Sequence, residues 1–154
     1  MSASVLFVCL GNICRSPTAE AIFRAQAASR ELTVTTDSAG TGNWHIGDPP
    51  DARAQAEARR RGLDLSGLRA RQFKVGDFSD FDLIVAMDAD NLRNIEAQRP
   101  PGSDTPVKLM CDFAPDQPLT DVPDPYFESG FDGVFDLIEL ASGGLIDQLQ
   151  SDRR

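Results

Sequence analysis

Val5-Leu6-Phe7-Val8-Cys9-Leu10-Gly11-Asn12-Ile13-Cys14-Arg15-Ser16-Pro17 is the stretch from which the rest of this chain can be read. Val5 to Val8 form an unbroken apolar run, the pattern of a short strand buried on both faces. Ser16 before Pro17 reads as an N-cap followed by proline at the first helical position. The residues between them form a loop joining a strand to a helix N-terminus. Such a loop points backbone N–H groups and the positive end of the helix dipole into one concavity, which favours an anion. The same field favours a thiolate over a thiol, so Cys9 on the floor of the loop is expected to be nucleophilic. Arg15 adds a planar fork of donors that matches two oxygens of a phosphate. A nucleophile, an anion cradle formed by Leu10, Gly11, Asn12, Ile13, Cys14 and Arg15, and a phosphate clamp together point to phosphoryl transfer.

A cysteine six positions before an arginine is weak on its own, because Cys also serves as a small core residue and Arg as a surface one. The context distinguishes this pair: a buried strand before it, a glycine inside the loop, a helix after it. Cys9-Leu10-Gly11-Asn12-Ile13-Cys14-Arg15-Ser16-Pro17 resembles, at every position, the signature loop of the low-molecular-weight protein tyrosine phosphatases. The resemblance extends over essentially the whole chain, and Asp124-Pro125-Tyr126 matches the family's general-acid motif. It implies a four-stranded parallel sheet, metal-free hydrolysis of phosphomonoesters without a cofactor, and a cysteinyl-phosphate intermediate.

The strand and helix signals alternate along the chain. A helix is expected over 17–30, a second strand over 32–37, a Gly-rich loop over 38–47 and a capped helix over 49–61. A third strand is expected over 82–87, a helix over 89–98 ended by Pro100-Pro101, a fourth strand over 107–110, a Pro-rich loop over 114–125 and a last helix over 133–150 weakened by Gly143-Gly144. Alternation of this kind predicts an α/β fold, an open four-stranded parallel sheet with helices on both faces, flavodoxin-like, with the phosphate loop after the first strand. Ligands of such sheets bind beyond the carboxyl ends of the strands. Cys9, Ser38, Asp88 and the loop carrying Asp124 all map to those ends.

With 154 residues, the expectation is one domain over 1–154 with a core of useful size. The net charge of −9 argues against nucleic acid and against anionic membrane surfaces as partners. It also opposes an anionic substrate, unless the loop amides and Arg15 supply positive potential at short range. No apolar run is long enough for a membrane span, the first residues lack the basic start of a secretory signal, and three cysteines are not a disulfide framework. The expected location is the cytoplasm and the expected state a monomer. Arg59-Arg60-Arg61 reads as a helix C-terminus complementing its own dipole.

Asp124 is the candidate general acid. A carboxyl above the cysteine can protonate a leaving aryl oxygen and then take a proton from the attacking water. Asp-Pro is also an ordinary turn former, and Asp121 is a neighbouring rival. Asn12 tolerates left-handed backbone. The resemblance gives Ser16 a hydrogen bond to the thiolate and Asn12 a loop-shaping role with Ser38, while Asp88, otherwise a helix cap, is carried as support. Trp44, Tyr126 and Phe127 would wall a slot for a flat phenyl ring, selecting phosphotyrosine over the shorter phosphoserine. Phosphate or sulfate would then inhibit. His45 is assigned no task. Cys14 is either a core residue or the partner of Cys9 in a reversible disulfide under peroxide, and Cys111 reads as structural.

Two other readings stay open at this point. An arsenate reductase of the same fold needs further cysteines by the loop and leaves Asp124 unexplained. A non-catalytic phosphotyrosine-binding module needs neither nucleophile nor acid. A P-loop nucleotidase is excluded because the Gly-Lys-Ser/Thr end is missing.

Overall fold

The computed structural model describes residues 3–125 and 130–152. Its strands are β1 (Ala3–Cys9), β2 (Val34–Gly40), β3 (Leu83–Ala86) and β4 (Val107–Leu109). They form one parallel sheet in the order β2-β1-β3-β4, with Cys9 opposite Gly40 and Val8 opposite both Ala39 and Ala86. The helices are α1 (Arg15–Ser29), α2 (Ala52–Arg60), the single turn α3 (Asp77–Asp80), α4 (Ala89–Glu96) and α5 (Phe131–Asp152), with a 3-10 turn at Met110–Phe113.

The period-two alternation of β1 divides the core. Val5, Phe7 and Cys9 face α1 and α5, where Phe23 packs edge-on to Phe7 at 5.5 Å. Leu6 and Val8 face the other way, onto Ile84, Ala86, Phe73, Phe78 and Ile95. Both faces being covered explains why the strand reads as a continuous apolar run rather than an alternating one. After β1 the chain crosses to β2 on one side, and after β2 it returns past β1 to β3 on the other. The carboxyl ends of β1 and β3 therefore flank the point where the winding changes direction, the crevice in which such sheets take ligands.

Three local expectations need correction. Ser16 does not cap α1; Cys14 holds that position without a side-chain cap bond, and the helix begins one residue before Ser16, at Arg15. Pro17 is then the third helical residue, still within the first turn, where an N–H has no intrahelical partner to lose. β2 runs on through Ser38 to Gly40 instead of ending at Asp37, because all seven of its residues pair with β1. Arg61 is more than a dipole complement. Its guanidinium bonds Glu57, Asp136 and Glu139 and lies 5.2 Å over Phe135, clamping α2 to α5.

Candidate active site

The loop Leu10–Cys14 curls over the end of β1 and reaches α1 in a few residues, and two features of the sequence permit this. Asn12 adopts φ +58°, the left-handed region that asparagine tolerates better than most side chains. Gly40, at the end of β2, lets the loop pass close: a Cβ there would stand 2.8 Å from the Leu10 carbonyl oxygen. The Thr41 and Gly42 N–H groups donate to the Cys9 and Leu10 carbonyls at 2.9 Å each, tying the 41–47 loop to the same place.

Cys9 sits at the bottom, 3% exposed. Its Sγ accepts from the Asn12 N–H at 3.2 Å and lies 3.0 Å from Ser16 Oγ. Both contacts suit a thiolate, which accepts hydrogen bonds well. Asn12 Nδ2 donates to Ser16 Oγ at 2.8 Å and to Ser38 Oγ at 3.0 Å, while its Oδ1 accepts from the Arg71 N–H at 2.9 Å. The side chain that was expected to cap α1 thus faces the sulfur instead. No side-chain cap bond satisfies the start of α1, which leaves the Arg15 and Ser16 N–H groups available to an anion in the loop.

Arg15 is a buried cation held by acceptors. Nη1 donates to Asp88 Oδ2 at 2.7 Å and to the Val122 carbonyl at 3.0 Å, and Nη2 lies 3.7 Å from Asp124 Oδ2. Burial works against its charge, but Cys9, Asp88 and Asp124 outweigh burial and hold the guanidinium's pKa above its ordinary value. Asp88 has two tasks, since its Oδ1 also accepts from the Asn91 N–H at 2.7 Å and caps α4. The Asp124 loop is fixed from below: the Val122 N–H donates to the Met87 carbonyl at 2.8 Å, while its own carbonyl takes Arg15. Asp121 is engaged elsewhere, accepting from the Ala89 N–H at 3.1 Å.

Cys9, Leu10, Gly11, Ile13, Cys14, Arg15, Trp44, His45 and Asp124 line a cavity of about 290 Å³. Asp124 is one-quarter exposed at its edge. Trp44 stands 63% exposed on the rim and lies across Gly42, where a Cβ would come within 2.3 Å of the indole. His45, given no task from sequence, is part of the wall: its ring lies against Gly11 and its Nδ1 is 3.1 Å from Asp48 Oδ2. Nothing in the sequence near His45 marks it, because the contact is made across the loop to Gly11. Tyr126 and Phe127 lie outside the described residues. Burial, then the Asp51 carboxylate, the Cys9 sulfur and Asp124, push the Cys14 thiol up to about 12, so it stays protonated beside Cys9. Cys111 is buried in the 3-10 turn, away from the cavity. Among the described residues no cluster of His, Cys, Asp or Glu is arranged to hold a metal ion, and no helix is long and apolar enough to cross a membrane.

A family model described as low molecular weight phosphotyrosine protein phosphatase matches residues 4–154. The chain is 44% identical over 153 residues to the low molecular weight protein-tyrosine-phosphatase YfkJ of Bacillus subtilis, covering 98% of each. It is 46% identical over 135 residues to the low molecular weight phosphotyrosine protein phosphatase of Schizosaccharomyces pombe, covering 86% of this chain and 85% of that one. The crystal structure of YfkJ superposes with a TM-score of 0.94, over 100% of this chain and 98% of that one at 43% identity. A protein tyrosine phosphatase from Entamoeba histolytica, solved with Hepes in the active site, superposes at 0.92 and 37% identity over 99% of each chain. Signature loop, sheet order and cavity thus coincide with a match over nearly the full length, and the chain belongs to the low molecular weight phosphotyrosine protein phosphatase family.

Proposed function

We propose that this chain hydrolyses phosphotyrosine in proteins, and small aryl phosphates, through a cysteinyl-phosphate intermediate and without a metal or other cofactor. The observation that carries the reading is the convergence of Cys9, Arg15 and Asp124 on one cavity, with Asp124 Oδ2 3.7 Å from Arg15 Nη2. The phosphate sits in the 9–15 loop, its oxygens on the loop amides and the Arg15 fork. The Cys9 thiolate attacks phosphorus. The S–P bond forms, the P–O(aryl) bond breaks, and Asp124 gives its proton to the departing phenolate. Water then attacks phosphorus while the Asp124 carboxylate takes its proton; the O–P bond forms, the S–P bond breaks, and inorganic phosphate leaves. Arg15 and the amides stabilise the equatorial charge in both steps.

The rim supports an aryl substrate. Trp44 offers a face to a phenyl ring, with Tyr126 and Phe127 assigned to the other wall by the family motif alone. The shorter, aliphatic side chain of phosphoserine offers no ring to stack on Trp44. Phosphate or sulfate would compete for the cradle, and the Hepes in the active site of the Entamoeba enzyme is itself a sulfonate. The net charge of −9 supports an enzyme that engages neither nucleic acid nor an anionic membrane surface, and we place it in the cytoplasm. We take it as a monomer of one domain. Cys14 is the resolving thiol of the proposal: hydrogen peroxide oxidises the Cys9 thiolate to a sulfenic acid and is reduced to hydroxide, and the Cys14 thiol then condenses with the sulfenic acid to a Cys9–Cys14 disulfide and water, which an external thiol reverses.

The test is hydrolysis of p-nitrophenyl phosphate by the wild type and by Cys9→Ser, each with and without EDTA. The expected result is activity abolished with the sulfur and indifferent to chelator. Activity surviving in Cys9→Ser, or lost with EDTA, overturns the mechanism.

A further inference from the structure

Behind the cradle, a line of buried polar side chains ends on a carboxylate for which the proposed chemistry has no use. Glu20 is 3% exposed, on the face of α1 that packs against β2. Its Oε1 accepts from Ser38 Oγ at 2.7 Å, and its Oε2 accepts from Arg24 Nη2 at 2.5 Å. Arg24 is half-exposed and also donates to Thr36 Oγ1 at 2.8 Å, so the ion pair bridges the helix to the strand at the surface. From Glu20 the line runs inward through Ser38, Asn12 and Ser16 to Cys9.

A hydroxyl has one proton, and this decides how the line is oriented. An ionised carboxylate only accepts, so Ser38 spends its proton on Glu20 and presents lone pairs to Asn12. Asn12 Nδ2 then donates to both serines. Its orientation is held from the other side by the Arg71 N–H, which donates to Oδ1 at 2.9 Å. Ser16, already receiving a proton from Asn12, keeps its own for an acceptor. The Cys9 sulfur at 3.0 Å is nearer than the Ala39 carbonyl at 3.4 Å. Were Ser38 to donate towards Asn12, the amide would be pressed to turn its oxygen inward. Ser16 would then point its proton at that oxygen and its lone pairs at the thiolate.

We propose that Glu20 is a positioning residue for the reaction: as the acceptor at the end of the Ser38–Asn12–Ser16 line remote from Cys9, it fixes the direction in which these groups donate and so leaves the Ser16 proton for the Cys9 thiolate. The inference rests on Cys9 being the nucleophile. Glu20 acts through three other residues and touches no substrate.

Glu20→Gln tests the direction at nearly constant volume. Its single carbonyl oxygen is contested by Arg24 and Ser38; the charged Arg24 takes it, and the amide N–H groups turn to Ser38. The readout is the rate of Cys9 alkylation by iodoacetate between pH 5 and 9, together with kcat/KM for p-nitrophenyl phosphate over the same range. In Glu20→Gln the acid limb of both profiles is expected to move up by about one pH unit, a tenfold loss at the acid end, and to rejoin the wild type at high pH. Loss of the Glu20 charge acting only through space would move the limb down, so the sign separates the two explanations.

Adding Arg24→Leu frees the carbonyl for Ser38 and is expected to return the profile to within about twofold of the wild type. Ser38→Ala, which cuts the same line with the loss of one oxygen, is expected to move the limb in the same direction as Glu20→Gln and stands in for it should that variant not fold. An unmoved or downward-shifted limb in Glu20→Gln, a double variant that is not restored, or a wild-type profile in Ser38→Ala each overturns the role of Glu20. Hydrolysis retained by Cys9→Ser instead overturns the assignment of the nucleophile.

Discussion

Asp124 is fixed indirectly. The backbone of Val122 is bonded both to Met87, just past β3, and to Arg15, and the carboxylate is carried two residues further to the cavity edge. A proton donor in that position matters most when the departing oxygen is basic. Removing it should therefore discriminate between substrates. Asp124→Ala is expected to slow phenyl phosphate by about 100-fold and p-nitrophenyl phosphate only several-fold, because nitrophenolate leaves without protonation. Steady-state kcat over a series of substituted aryl phosphates checks this; equal slowing across the series removes Asp124 from the acid role. Cys9, Arg15 and Asn12 could be read from the sequence because they are close in the chain and their residue types limit what a strand-to-helix loop can do. Glu20 and Arg71 could not. Glu20 meets Ser38 across 18 residues and Arg71 meets Asn12 across 59, so in sequence one is an ordinary helix glutamate and the other an ordinary surface arginine. His45 carries no mark in the sequence for the same reason, since its place in the wall depends on where Gly11 lies.

The strands were legible as elements because burial on both faces leaves an unbroken apolar run, whereas their ends were set by pairing partners elsewhere in the chain. β2 passes Asp37 into Ser38-Ala39-Gly40, a stretch with the composition of a loop, because β1 alongside offers a full register. α1 starts before Ser16 because that hydroxyl is drawn to Cys9 and Asn12. α3 and the 3-10 turn are each too short for a periodicity to show. Gly143-Gly144 reads as a weak point of the last helix, yet α5 continues through both to Asp152. The two glycines differ sharply in surroundings. A Cβ on Gly144 would stand 1.9 Å from the Phe113 carbonyl oxygen, where the 3-10 turn crosses the helix, while one on Gly143 would meet only the end of Gln26 at 3.6 Å. Gly144→Ala must push backbone from backbone and is expected to cost about 3 kcal/mol. Gly143→Ala gains helix propensity at no steric cost and should add up to about 1 kcal/mol. Thermal unfolding followed by circular dichroism should show the first lowering Tm by roughly 10 °C and the second raising it by a few degrees. Similar values for both would mean that the approach of the 3-10 turn does not constrain α5.

At the scale of the whole molecule, the proposed function asks a chain with a net charge of −9 to bind a phosphate dianion. The conflict is resolved by range. Arg15, the loop amides and the first turn of α1 act within a few ångströms, where little solvent intervenes, whereas the surface charge acts through water and is screened by salt. Burying Arg15 among Asp88, Asp124 and the Val122 carbonyl keeps it charged and oriented but leaves little positive field outside the cavity. On the proposed reading the acidic surface governs the approach of an anion and the cradle its capture. Raising sodium chloride from 10 to 150 mM shortens the screening length from about 30 to about 8 Å and removes repulsion during approach while leaving the contacts inside intact. The expected outcome is a rise of about two- to threefold in kcat/KM for an aryl phosphate, with kcat itself nearly constant. Sodium acetate at the same ionic strength should give the same rise. If kcat/KM falls instead, and falls equally in both salts, the cradle projects a steering field beyond its mouth and the acidic surface plays no part in encounter. A fall that depends on which anion is added would mean that the anion enters the cradle, in direct competition with substrate for Arg15 and the loop amides.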